Sequence, residues 1–159
     1  MEYEKIWKKT LNPNEQVEYE FSVGKKYRMF FATLGCLGGM VLLFTPGYYV
    51  GILVAAISVF YFWFYQKWAN AYAFTNKRIV AYRGWLSTDL ISIDYDKITD
   101  VTVEEPILDK LLTHTGNLIV NTAGVGFPEL KQNQKFEHIE NPYEAKKKLD
   151  EIRSNIKNK

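Results

Sequence analysis

The feature that most constrains this chain is a gap in its charge. Residues 29–66, 38 in a row, contain no Asp, Glu, Lys or Arg, although 24% of the sequence is charged. At that frequency so long a run arises by chance about 3 times in 100,000. Every charged side chain therefore lies in the flanks, a segregation that the mean hydropathy of −0.21 hides. The 20 basic and 18 acidic residues leave a net charge of +2. That balance lacks the concentrated basic face that neutralises nucleic-acid phosphates, so no nucleic-acid partner is expected. A length of 159 residues suits one domain with an appendage.

The uncharged run is broken by Thr45-Pro46-Gly47, where proline lacks an amide donor and glycine accepts turn geometry. It reads as two apolar helices, 27–44 and 48–65, each about 18 residues or about 27 Å long against a hydrocarbon core of about 30 Å. So brief a turn belongs at an interface, which makes the pair an antiparallel transmembrane hairpin with both ends on one side. Lys25, Lys26 and Arg28 precede it and Lys67 follows, while the turn carries no basic residue. The positive-inside rule then predicts an integral protein of the cytoplasmic membrane with both termini in the cytoplasm. Aromatic residues gather at the borders, from Tyr27, Phe30 and Phe31 through Tyr48 and Tyr49 to Trp63 and Trp68. A buried soluble hairpin would show a polar stripe, and these helices show none. A cleaved signal peptide would begin nearer the N-terminus and end in a small-residue cleavage site. Three segments result: a cytoplasmic helix and strand (1–26), the hairpin (27–66) and a cytoplasmic domain (67–159).

Within the hairpin, Gly35 and Gly39 form a G-x-x-x-G spacing, and Gly47, Gly51 and Ala55 form a small-residue ladder. Both patterns permit close helix packing, either inside the hairpin or between two copies. Cys36, the single cysteine, has no intrachain disulfide partner and reads as a small hydrophobe.

The flanks are patterned differently. Tyr3, Ile6, Trp7 and Leu11 share one helical face, suited to the membrane interface or to the domain. Val17, Tyr19, Phe21 and Val23 alternate with polar residues, a strand that must find a sheet, most naturally that of the domain after the membrane. From Ala69 onward short alternating strands and turns predict an antiparallel sheet. At the end, Asn141 reads as an N-cap, Pro142 as the first helical residue, and Ala145, Leu149, Ile152 and Ile156 as the apolar stripe of a C-terminal helix.

Strands closed by one amphipathic helix after a two-helix hairpin resemble the bacterial pleckstrin-homology-domain membrane proteins, the YdbS-like family. The resemblance rests on Tyr72-Ala73-Phe74-Thr75-Asn76-Lys77-Arg78-Ile79, Tyr82-Arg83-Gly84-Trp85-Leu86-Ser87, Asp96-Lys97-Ile98-Thr99-Asp100-Val101, Gly116-Asn117-Leu118 and Asn141-Pro142-Tyr143-Glu144. It covers roughly residues 70–150. One departure is Thr113-His114-Thr115, where members often carry a further glycine. The resemblance implies an α+β fold, a pleckstrin-homology-like antiparallel β-barrel capped by a C-terminal α-helix, and implies no catalytic activity.

Chemistry-bearing clusters are sparse. His114 and His138 have no companions at metal-ligand spacing. No serine lies in a G-x-S-x-G turn, and Gly124-Val125-Gly126 lacks a third glycine. Neither an enzyme nor a cofactor is expected. Binding is the better reading: Lys77 and Arg78 at the first hairpin turn, Phe127 in the long loop 121–134, and Lys146, Lys147 and Arg153 on the last helix are candidate contacts for anionic lipid or a partner. The plain alternatives are a polar turn, a loop residue folded back on the barrel and a solvated lysine-rich face. The expected role is a membrane-anchored scaffold for protein assembly, including self-association, with recognition of lipid headgroups as the second reading.

Overall fold

The computed structural model describes residues 3–84, 88–122 and 133–157. The alternating segment near the N-terminus forms β1 (Val17–Ser22), which follows α1 (Glu4–Thr10) and precedes the hairpin. Its partner comes from beyond the hairpin: β1 pairs antiparallel with β2 (Asn70–Thr75), Phe21 opposite Tyr72 and Ser22 opposite Ala71. The hairpin is therefore an insertion between two neighbouring strands of one sheet. That sheet continues through β3 (Arg78–Arg83) to β4 (Asp89–Asp94). A second antiparallel sheet holds β5 (Ile98–Glu104), β6 (Thr115–Thr122) and β7 (Asn133–Glu140); α2 (Lys25–Leu42), α3 (Tyr48–Val59) and α4 (Gln66–Ala69) form the hairpin, and α5 (Pro142–Lys157) follows β7.

The closed barrel expected from the resemblance is not formed among the described residues. The chain leaves β4 through a single 3-10 turn, Tyr95–Lys97, held down where the Tyr95 hydroxyl donates to the Thr75 carbonyl. On the opposite side, β1 and β7 do not form a ladder. The end of β1 meets the end of β7 at one bridge, Val23 with Ile139, and Arg83 donates to the Lys135 carbonyl. Two sheets instead face each other across one core built from Phe74, Ile79, Leu118, Val120, Phe136 and Ile139. The helix α5 lies against β5 and β6 and adds Ala145, Leu149 and Ile152 to that core. The amphipathic stripe read from the sequence supplies these contacts. Antiparallel sheets followed by a C-terminal helix give an α+β fold.

The strand β2 is buried on both faces, which is why its sequence does not alternate. Tyr72 and Phe74 enter the main core, while Ala71 and Ala73 are small enough to admit Tyr3 and Trp7 of the N-terminal segment on the other side. Trp7 is only 3% exposed and donates from Nε1 to Glu20 at 3.1 Å. The α1 segment thus packs on the sheet.

In the hairpin, α2 (Lys25–Leu42) is followed by a turn and α3 (Tyr48–Val59), which continues through a π-helical stretch, Phe60–Tyr65, into α4 (Gln66–Ala69). Among the described residues, the 22-residue helix from Tyr48 to Ala69, with an 18-residue stretch of mean hydropathy 1.7, is the one long and apolar enough to cross a membrane. The expected first span is shorter than the sequence suggests. Its helix ends at Leu42, and Lys25, Lys26 and Arg28 occupy its first turn. The remaining apolar part, 29–42, is about 21 Å long at about 1.5 Å per residue.

Candidate functional site

The residues singled out in the sequence fall into different environments. At the β2–β3 turn, the Thr75 hydroxyl accepts the amide hydrogens of Lys77 and Arg78, at 3.2 and 3.0 Å, and sets the turn. Arg78 then reaches across to Glu15, with Nε and a terminal nitrogen each 2.9 Å from a different carboxylate oxygen, and donates to Ser92 at 3.0 Å. The Glu15 side chain is fully buried. Burial alone pushes its carboxyl up, but hydrogen bonds from Arg78, Thr75 and the Asn12 amide outweigh that and hold it below the usual carboxylate range. Arg78 is thus committed to a structural ion pair, while Lys77 beside it is exposed. Arg153 donates to the Ile98 carbonyl at 3.0 Å and ties α5 to β5. Lys146 is half-buried and Lys147 exposed on α5. Phe127 lies outside the described residues, as does Gly124-Val125-Gly126.

The small residues of the hairpin lie mostly at the crossing of α2 and α3. A Cβ placed on Gly39 would come within 2.6 Å of the Gly51 carbonyl oxygen and 2.9 Å of the Ala55 Cβ, and one on Gly51 within 2.5 Å of the Gly39 carbonyl oxygen. A Cβ on Gly35 would collide with Ser58. Gly47 has no such neighbour and instead precedes α3. The ladder is used inside the hairpin, which leaves other faces for any second copy.

What sequence reading missed is how firmly the hairpin is fixed to the sheets. The Gly24 amide donates to the His138 carbonyl at 2.7 Å, and the Lys26 amide to Glu140 at 3.3 Å. Gly24 admits no side chain, because its Cβ would lie 2.7 Å from Thr115. Tyr27 stacks on the His138 ring at 3.9 Å, and His138 Nδ1 meets Asp109 at 2.9 Å. Asp109 opens the turn Asp109–Thr113, which packs on α2 and leaves Ile107, Leu108, Leu111 and Leu112 exposed beside the hairpin. That turn ends in His114 at φ 55, the left-handed region where a glycine is unstrained. Only the weak signal of a missing glycine marked this position in the sequence.

Where the two ends of the hairpin meet β1, a cavity of about 580 Å³ opens. Its wall includes Lys25 and Arg28 of α2, Lys67 of α4, and the carboxylates Glu20 and Glu140. Glu20 accepts from Trp7 and Glu140 from the Lys26 amide. The Arg28 Nε is buried with no hydrogen-bond partner among the described residues. An unmet buried donor costs about 1–3 kcal/mol, more when charged. Sequence reading used these cations only to orient the hairpin. The hairpin brings them together, and β1, expected to join the later sheet, closes the cavity by pairing with β2 in particular.

Among the described residues no group of three or more His, Cys, Asp or Glu is placed to hold a metal ion. Residues 29–159 match the family model of the bacterial PH domain. No curated protein matches the chain. Similar solved structures include a DUF1696 family protein with a pleckstrin-homology domain from Shewanella loihica PV-4, 13% identical with a TM-score of 0.49, covering 96% of this chain and 94% of that one. Another is a pleckstrin homology domain from Shewanella amazonensis SB2B, 12% identical with a TM-score of 0.47, covering 93% and 82%.

Proposed function

The chain belongs to the bacterial PH domain family, and from that premise we propose that it is a membrane-anchored, non-catalytic binding module acting in protein assembly at the cytoplasmic membrane face. The observation that carries this reading is the surface of the hairpin. Leu34, Leu37, Met40, Val41, Ile52 and Leu53 are all more than half exposed, next to further exposed aromatic residues. A contiguous apolar face of this kind is not tolerated in water, and lipid is its natural solvent. Both ends of the hairpin carry basic residues and the turn carries none, which supports two spans with both termini in the cytoplasm. The short apolar part of α2 is accommodated by local thinning of the bilayer or by its snorkelling lysines. Ile107, Leu108, Leu111 and Leu112 continue the apolar belt at the domain side.

Anchoring raises the effective concentration of the domain near the bilayer, so weak contacts suffice. Among the described residues the outer edge of β4 pairs with no strand and offers main-chain groups to a partner strand, with Leu90 exposed on it. Two experiments test the reading. Alkaline carbonate should leave the protein in the membrane pellet, and release into the supernatant would refute anchoring. A photo-crosslinker at Leu90 in native membranes should yield a discrete adduct with a membrane protein or a second copy, and its absence would refute assembly through this edge.

A further inference from the structure

We propose that the cavity between β1 and the two ends of the hairpin is a phosphate-binding site, the phosphate being carried by a membrane lipid headgroup or supplied as the free anion. The inference deepens the membrane-anchored reading and depends on it only for the lipid source. Three observations converge. Lys25, Arg28 and Lys67 come from both ends of the hairpin and line one cavity, although 42 residues separate Lys25 from Lys67 (67 − 25 = 42). The cavity's volume, about 580 Å³, falls in the range of roughly 300–1,000 Å³ typical of small-ligand sites. Among the described residues the Arg28 Nε–H is buried without an acceptor. A tetrahedral oxyanion answers all three features, since guanidinium and ammonium donors pair with phosphate oxygens at short, charge-assisted distances. The cavity lies where an embedded hairpin emerges from the bilayer, which is the level of lipid phosphates.

The test uses the full chain in a neutral detergent, with retention measured by native mass spectrometry. The probes are dioleoyl phosphatidylglycerol, a phosphate-free dioleoyl glucolipid, and inorganic phosphate as competitor. Phosphatidylglycerol should be retained in preference to the glucolipid, with an affinity that falls as salt rises. Arg28→Gln should weaken retention about tenfold, Arg28→Lys should restore part of it, and Lys25→Gln should weaken it severalfold. A Lys77→Gln, Lys147→Gln double variant should leave it unchanged. Displacement by millimolar inorganic phosphate identifies the anion itself as sufficient, and persistence against it identifies the lipid as the ligand. Equal retention of the two lipids with no inorganic phosphate bound would overturn the proposal. So would unchanged binding in Arg28→Gln and Lys25→Gln variants whose near-ultraviolet circular dichroism matches the parent. If Arg28→Gln does not fold, Lys25→Gln alone decides. Release by carbonate would refute the anchored reading separately, leaving the inorganic phosphate arm to decide the cavity.

Discussion

Arg78→Ala removes one half of an ion pair whose other half, the Glu15 side chain, is fully buried. Two charge-assisted hydrogen bonds of 2.9 Å are lost, each worth about 1.5–3 kcal/mol. The Arg78 side chain is itself 24% exposed, so water recovers part of that sum, and a net cost of about 3 kcal/mol is expected. Hydrogen exchange of the β2 and β3 amides in the detergent-solubilised chain reads this as roughly a hundredfold loss of protection. The penalty should also depend on pH. In the parent the folded Glu15 titrates below its ordinary value of 4.5, so its stabilisation is complete above the unfolded value and is lost as pH falls through the folded one. Without Arg78 the carboxyl rises, because burial is opposed only by Thr75 and the Asn12 amide. The difference between parent and variant should therefore shrink as pH is lowered from about 6 toward 3. A penalty under about 1 kcal/mol at neutral pH, or one that stays constant on acidification, would show that the buried Glu15 does not depend on Arg78.

Other outcomes follow from the same geometry. Gly39→Leu should splay the hairpin and raise its protease sensitivity in detergent, whereas Gly38→Leu should not, since a Cβ there meets nothing within 4 Å. Trp7→Ala should cost about 3–5 kcal/mol and raise exchange in β2 and β3, because Trp7 fills a cluster with Ala71, Ala73 and Val80. His114→Gly should raise the melting temperature through about 1 kcal/mol of relieved backbone strain. His138→Ala should speed exchange across Asp109–Thr113, because it removes both the Asp109 contact and the Tyr27 stack.

Local patterns were legible where one physical constraint acts alone. The alternation of Tyr19 and Phe21 with polar neighbours reflects the core face of β1, although a bulge turns Val17 to the Tyr3–Trp7 side, and the spacing of Ala145, Leu149 and Ile152 reflects one helix face against the sheets. Asn141 does sit at the N-cap, ahead of Pro142, and its carbonyl accepts the Glu144 and Ala145 amides, but at φ 49 its side-chain amide donates to Glu144 at 3.5 Å. The resemblance carried the antiparallel sheets and terminal helix but overstated their closure, since the junction at Tyr95–Lys97 depends on a long-range contact to Thr75. Arg78 looked like a free cation because its partner lies 63 residues away (78 − 15 = 63). The hairpin alone brings Lys25 and Arg28 near Lys67, but the cavity also needs walls from β1 and Glu140, which arrive only with the folded sheets.

The proposed anchoring has the hairpin cross the membrane twice and leave both flanks in the cytoplasm. In a Cys36→Ala background, single cysteines at Thr45, Lys77 and Lys157 are exposed to a membrane-impermeant maleimide on intact spheroplasts. Labelling is expected at Thr45→Cys from outside, and at Lys77→Cys and Lys157→Cys only after permeabilisation. Protection of the turn, or labelling of either flank in intact spheroplasts, would contradict it.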